Sequence, residues 1–215
     1  MENIKKYVAE GIGTFALVFC GAGSIIVNQE TGGVVTQVGI AITFGLIVMV
    51  MIYALGEISG AHLNPAVTIG FWLAGEFSKR EIIFYFFAQV IGAIGASMAL
   101  HLLFPENQTL GASLPSGTAL QSFVFEFILT FILMFVILFT SKGNNTQKMF
   151  AGVAVGSVVL LEALFAGPVC GASMNPARSI GPALISGHLE HLWIYLSAPF
   201  AGAALSAAVW KWLKN

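Results

Sequence analysis

Apolar residues form six long runs along the 215-residue chain, separated by short segments that contain Gly, Asn, Ser or Pro. A helix needs about 20 apolar residues to cross the hydrocarbon core of a bilayer, which is ~30 Å thick. The pattern therefore predicts six membrane-spanning helices. Their approximate ranges are 7–28, 34–55, 81–104, 118–140, 149–166 and 191–213.

Two shorter apolar stretches, 65–73 and 176–185, follow the second and the fifth of these spans. At 1.5 Å per residue each would reach roughly 14 Å, which is less than half of the hydrocarbon core. We therefore expect two short helices that enter the membrane without crossing it.

The two short stretches begin inside a repeated motif. Ser-Gly-Ala-His-Leu-Asn-Pro-Ala-Val-Thr-Ile-Gly starts at Ser59, and Cys-Gly-Ala-Ser-Met-Asn-Pro-Ala-Arg-Ser-Ile-Gly starts at Cys170, with seven of twelve positions identical. The motif is part of a longer repeat, and each copy of that repeat contains two spans, a short helix and a third span. Because three crossings are an odd number, the second copy must insert with the opposite orientation. The sequence predicts one transmembrane channel domain, 1–215, made of inverted repeats of about 1–110 and 111–215.

The Asn-Pro-Ala triplets are 64–66 and 175–177, and their residue types suit helix starts. Asn caps a helix through its side-chain oxygen, and Pro suits the first helical position. We expect each Asn to keep an uncharged NH₂ group free, and the paired positive helix ends to repel cations and protons. The residues expected to line a pore around these starts, chiefly with backbone carbonyls, are Gly60, Ala61, His62, Leu63, Gly171, Ser173 and Met174, with Asn64, Pro65, Ala66, Asn175, Pro176 and Ala177 as the starts themselves.

Composition supports a membrane protein, with 57% hydrophobic and 9% charged residues and a mean hydropathy of +0.88. Soluble domains carry roughly 25% charged residues. The net charge of −1 and the lack of a basic run argue against nucleic acid as a partner. No predicted pocket combines a nucleophile with a base, or several metal ligands, so we expect no enzyme activity, metal or cofactor.

Positive residues predict the orientation in the membrane, since positively charged loops stay in the cytoplasm. Eight of the nine Lys and Arg residues fall on one side of the six-span pattern, and only Arg178 does not. We expect both termini to be cytoplasmic, in a plasma or inner membrane. The eight are Lys5, Lys6, Lys79, Arg80, Lys142, Lys148, Lys211 and Lys214.

At the two motifs the chain resembles the aquaporins of the major intrinsic protein family, and its motif sequences are similar to the nodulin-26-like branch. The resemblance implies an all-α, right-handed bundle of six transmembrane helices plus two re-entrant half-helices, a pore in each subunit and a homotetramer. It also places a four-residue selectivity filter at Phe44, Ala163, Ala172 and Arg178.

The filter residues differ from those of the best-known branches. Water-selective members resemble one another in having His at the position of Ala163, and glycerol facilitators in having a second aromatic residue and an Asp where this chain has Ser179. The set Phe, Ala, Ala, Arg looks like that of bacterial nodulin-26-like channels. It implies a passive channel for water and small neutral solutes, with metalloid hydroxides such as arsenous acid favoured and boric acid or glycerol as further solutes. The alternatives are a water-selective aquaporin, a glycerol facilitator or, in another class, an alternating-access transporter.

Two acidic residues, Glu10 and Glu126, occupy equivalent places inside the first and fourth spans. Ionisable residues within a membrane are candidates for function, including proton-coupled transport. The re-entrant segments also leave backbone N–H groups that no helix satisfies. We favour the interpretation that both carboxylates are buried acceptors for those groups.

Overall fold

The computed structural model describes the backbone of residues 2–214 and the side chains of residues 4–214. Within these residues the chain is helical and has no β-strands. The helices are α1 Glu2–Glu30, α2 Thr36–Ser59, α3 Pro65–Ala74, α4 Ile82–Leu103, α5 Ala119–Ser141, α6 Asn145–Met149, α7 Ala151–Cys170, α8 Pro176–Ser186 and α9 Leu192–Lys214.

The six predicted spans are confirmed. Helices α1, α2, α4, α5, α7 and α9 are long and apolar enough to cross a membrane. Two helices end four residues later than predicted: α2 continues past 55 to Ser59, and α7 continues past 166 to Cys170. Pro168 lies inside this last turn, where a missing N–H affects only one hydrogen bond, and Gly171 then ends the helix with a φ of 82°.

The long helices pack in two groups, α1 with α2 and α4, and α5 with α7 and α9; α2 and α7 join the groups. This joint depends on two glycines. A β-carbon on Gly45 would lie 2.6 Å from the carbonyl oxygen of Gly156, and one on Gly156 would lie 2.6 Å from that of Gly45. Small residues allow such close backbone approach between membrane helices.

The short helices α3 and α8 cross over between the two groups. Helix α3 follows α2 in the chain but packs on α9, and α8 packs on α4. With 10 and 11 residues, they reach about 15 Å at 1.5 Å per residue, which is too short to cross a bilayer. The residues of their first turns are buried, so both N-termini lie inside the bundle, and the two helices contact each other.

Three contacts gather charged residues at one end of the bundle. Lys142 Nζ lies 3.1 Å from Glu76 Oε2, and Lys214 Nζ donates to the Lys142 carbonyl at 3.1 Å. The Tyr7 hydroxyl donates to Glu81 Oε2 at 2.9 Å. The start of α1 and the end of α9 therefore lie at this same end, which we call the lower end.

Candidate functional site

The two Asn-Pro-Ala triplets form the N-termini of α3 and α8. Asn64 Oδ1 accepts a hydrogen bond from the Ala66 N–H at 2.8 Å, and Asn175 Oδ1 accepts from the Ala177 N–H at 3.0 Å. Pro occupies the first helical position in both cases. The oxygen of each Asn is thus committed to its own helix, which is N-cap geometry.

The NH₂ groups of the two Asn residues hydrogen-bond across the bundle. Asn64 Nδ2 donates to the Met174 carbonyl at 2.7 Å, and Asn175 Nδ2 donates to the Leu63 carbonyl at 2.8 Å. The expectation that each NH₂ group stays free is therefore wrong. Each amide lies beside the other copy's loop and uses one N–H there, which leaves one N–H for a passing molecule.

The loops before the caps, residues 60–63 and 171–174, have a strained backbone. Ala61 and Leu63 have φ values of 47° and 51°, and Ala172 and Met174 have values of 39° and 51°. Non-glycine residues adopt this left-handed region only when their surroundings hold them there. The surroundings must therefore include strong partners for these loops.

Glu10 is the partner of the first loop. Its Oε1 accepts from the His62 N–H at 2.9 Å and from the Ser59 hydroxyl at 2.7 Å. Its Oε2 accepts from the Leu63 N–H at 2.7 Å and from Gln89 Nε2 at 2.8 Å. The side chain is fully buried, so these bonds replace the water that a carboxylate otherwise needs.

Glu126 holds the second loop in the same way. Its Oε1 accepts from the Ser173 N–H at 2.7 Å, and its Oε2 accepts from the Met174 N–H at 2.7 Å. It too is fully buried. The two carboxylates thus satisfy consecutive backbone N–H groups that no helix satisfies.

Two cavities adjoin these loops. The lower cavity, of about 100 Å³, runs along both loops and past both Asn residues. The upper cavity, of about 250 Å³, lies toward the other end of the bundle. Lining the lower cavity are Gly60, Ala61, His62, Leu63, Ser173 and Met174, whereas Gly171 lines the upper one. Pro65, Ala66, Pro176 and Ala177 are buried in the helix starts and line neither cavity.

The four residues that the resemblance marks as a filter line the upper cavity together: Phe44, Ala163, Ala172 and Arg178. Arg178 Nη1 donates to the Gly111 carbonyl at 2.9 Å and to the Ser113 hydroxyl at 2.7 Å. Its guanidinium carbon lies 5.2 Å from the centre of the Phe44 ring, within range of a cation–π interaction. Among the described residues, none accepts a hydrogen bond from its buried Nε.

The His62 ring combines packing with a place on the cavity wall. It stacks on Phe71 with ring centres 4.6 Å apart, and its Nδ1 lies 3.0 Å from Thr68 Oγ1. The residue also lines the lower cavity. One side chain thus both supports α3 and borders the space beside Asn64.

Comparison with known proteins agrees with this geometry. Residues 1–210 match the family described as Major intrinsic protein. The chain belongs to the major intrinsic protein family. It is 48% identical over 209 residues to Nodulin-26 from Glycine max, across 97% of this chain and 77% of that protein. It is 47% identical over 219 residues to Aquaporin NIP1-2 from Arabidopsis thaliana, across 98% of this chain and 74% of that protein.

The fold is likewise that of a family member. The aquaglyceroporin from Plasmodium falciparum superposes with a TM-score of 0.84 at 28% identity, covering 96% of this chain and 94% of that one. The aquaporin fold and the nodulin-26-like resemblance are therefore confirmed. The family is one of membrane channels for water and small solutes, so the protein is a multi-pass membrane channel.

Two polar residues of this family member were not predicted from the sequence as candidates for function. Glu162 in α7 is 3% exposed, and neither of its carboxylate oxygens has a partner among the described residues. An acidic residue inside an apolar span was the available signal for it. Gln37 in α2 lines the upper cavity, but it lies near a predicted span end, where a polar residue is ordinary.

Proposed function

We propose that this channel conducts water and small uncharged solutes passively, with metalloid hydroxides such as arsenous acid favoured and boric acid and glycerol as further solutes. The observation that carries the proposal is the wall of the upper cavity. There Arg178 and Phe44 are joined by Ala163 and Ala172, which contribute only methyl groups. A compact solute with several hydroxyl groups fits such a wall. Arg178 can donate hydrogen bonds to it, and the small side chains of Ala163 and Ala172 leave the width that it needs.

Electrostatics of the two cavities favour uncharged solutes. Neither cavity has an Asp or Glu among its described lining residues. A cation would meet the charged guanidinium of Arg178 and the N-termini of α3 and α8. Each of these N-termini is equivalent to about half a positive charge. The Arg178 Nε–H and the remaining N–H of each Asn can instead donate to a neutral hydroxyl oxygen.

An alternating-access transporter has less support. Coupling to an ion needs a site with oxygen ligands near the midplane, as in transporters with broken helices. Here Glu10 and Glu126 lie behind the loops and accept loop N–H groups. Flux that rises linearly with solute concentration is the result we expect for a channel.

We further propose a homotetramer in a plasma or inner membrane, with each chain a single channel domain of inverted halves, 1–110 and 111–215, and with both termini in the cytoplasm. The lower end, which holds Lys142 and Lys214, supports this orientation through the excess of positive residues expected in cytoplasmic loops.

Solute influx into proteoliposomes, followed by stopped-flow light scattering, tests the proposed selectivity. We expect arsenous acid, boric acid and water to pass, and Ala163→His to reduce the two acids about 10-fold while retaining water, because a ring replaces a methyl group in the wall. Ala207→Ser, in the buried face of α9 and away from both cavities, is the control. Passage of water alone through the wild type would contradict the metalloid selectivity.

Gly21 makes room for the proposed filter residue Phe44. A β-carbon on Gly21 would collide with the Phe44 ring, so we expect Gly21→Ala to push the ring toward the upper cavity and reduce water and boric acid flux about 5-fold or more. The double variant Gly21→Ala/Phe44→Ala should restore flux. Wild-type flux in Gly21→Ala would show that Phe44 does not limit the pore. Proteoliposome swelling measures the water and boric acid flux of the two variants.

A further inference from the structure

Gln37 reaches across the upper cavity wall from α2 to α7. Its Nε2 donates to the Ala163 carbonyl at 2.7 Å, joining residues that are 126 positions apart. Gln37 also precedes Phe44 by seven residues, so the two side chains lie on one face of α2, two turns apart. The amide is thus held beside the backbone of Ala163, in the wall of the cavity that Phe44 also lines.

Gly167 provides the surface on which this amide lies. A β-carbon at Gly167 would be 2.7 Å from Gln37 Nε2, which is closer than such atoms can approach. Gly167 follows Ala163 by one helical turn and also lines the upper cavity. The position of the Gln37 amide therefore depends on the absence of a side chain at Gly167.

The hydrogen bond to Ala163 determines which atom of the amide remains available. Since the NH₂ group is the donor, the carbonyl oxygen Oε1 is the free acceptor. Among the residues that the structure describes, none donates a hydrogen bond to this oxygen, while Gln37 lines the same cavity as Arg178. The cavity wall therefore contains a fixed acceptor at Gln37 and a fixed donor at Arg178.

We propose that Gln37 is a fifth, specificity-determining residue of the filter, and the proposal rests on the function proposed above. Its Oε1 accepts a hydrogen bond from one hydroxyl of an uncharged polyhydroxylated solute while Arg178 donates to another oxygen of the same molecule. Boric acid, arsenous acid and glycerol each have several hydroxyl groups, which binding to both partners requires. Water, with a single oxygen, gains less from their separation, so Gln37 raises the ratio of solute flux to water flux.

Two variants test the proposal from different sides. Gln37→Met keeps the length of the side chain and removes the amide, whereas Gly167→Ala keeps Gln37 and displaces its amide. In proteoliposomes we expect both to lower boric acid and glycerol influx about 5-fold, the effect of losing one hydrogen bond between uncharged groups. Water permeability should change less than about 2-fold, because water depends less on this acceptor.

Matched controls are present in the chain. Gln121 is exposed on the first turn of α5 and lines neither cavity, so Gln121→Met should behave as the wild type. A β-carbon on Gly56 would point into open space, with no neighbouring side chain or helix within 4 Å. Gly56→Ala therefore controls for a glycine replaced within a helix.

The outcomes separate this proposal from the one on which it rests. Boric acid flux through the wild type, with an unchanged solute-to-water ratio in Gln37→Met, overturns the role of Gln37 alone. An equal loss of water and solute in Gln37→Met also overturns it, because a merely structural residue would have that effect. A wild type that passes only water overturns both proposals.

Discussion

Glu126→Ala will leave little folded channel. The change removes the acceptor of the Ser173 and Met174 N–H groups, and an unsatisfied buried donor costs about 1–3 kcal/mol. Two such losses total about 2–6 kcal/mol, a large part of a stability that is typically 5–15 kcal/mol. Met174, with a φ of 51°, then keeps only the hydrogen bond of its carbonyl with Asn64 Nδ2. Size-exclusion chromatography in detergent and thermal unfolding measure the loss.

Glu162 makes a matched control for this prediction. It is a buried glutamate in the same bundle, but its oxygens have no partner among the described residues. We expect Glu162→Gln to be as stable as the wild type or more stable, since an uncompensated buried carboxylate is replaced by a neutral amide. Glu126→Gln should be destabilised, because its new NH₂ group would face a backbone donor. Equal unfolding temperatures for the two glutamine variants would contradict the role of Glu126.

Asn175→Asp will abolish most conduction while keeping the start of α8. A carboxylate can still accept from the Ala177 N–H, so the cap survives. In the wild type the Leu63 carbonyl accepts from Asn175 Nδ2 at 2.8 Å. A carboxylate cannot donate this hydrogen bond, and two oxygens would face each other there. Losing a buried hydrogen bond and gaining this repulsion costs about 1–3 kcal/mol. If this cost raises the free-energy barrier to permeation, the flux falls roughly 5- to 150-fold. Stopped-flow water and boric acid fluxes measure it.

Asn144 offers the control, since it is also an N-cap. Its Oδ1 accepts from the Gln147 N–H at 2.9 Å at the start of α6, and it lies outside both cavities. Asp caps as well as Asn does, so Asn144→Asp should conduct normally. Asn175→Asp with the flux of the wild type would mean that the bond between the loops does not shape the pore.

Local features of the site could be predicted because they depend on neighbours in the chain. Asn followed by Pro predicts a helix start, and α3 and α8 begin at Pro65 and Pro176. The availability of the Asn NH₂ groups could not be predicted in the same way. The carbonyls that accept from them, at Leu63 and Met174, are 110 or more positions distant in the chain.

Gln37 and Glu162, in the upper part of the bundle, also have contacts that could not be predicted from their neighbours in the chain. Nothing in the neighbours of Gln37 indicates that its amide reaches Ala163, because the contact depends on how α2 and α7 cross and on the missing side chain at Gly167. Glu162 is an acidic residue in an apolar span, which the sequence displays. Its lack of partners is visible only once α7 is packed in place.

The sequence by itself determined the six spans and the two short helices, because apolar length and capping residues act over a few neighbouring residues. It also indicated the family, through the resemblance of its two motifs. Only the tertiary structure decided that α3 packs on α9 and α8 on α4, and that each Asn amide binds the opposite loop. Such contacts depend on the simultaneous packing of helices from both halves of the chain. Their energy comes from groups that meet only after folding.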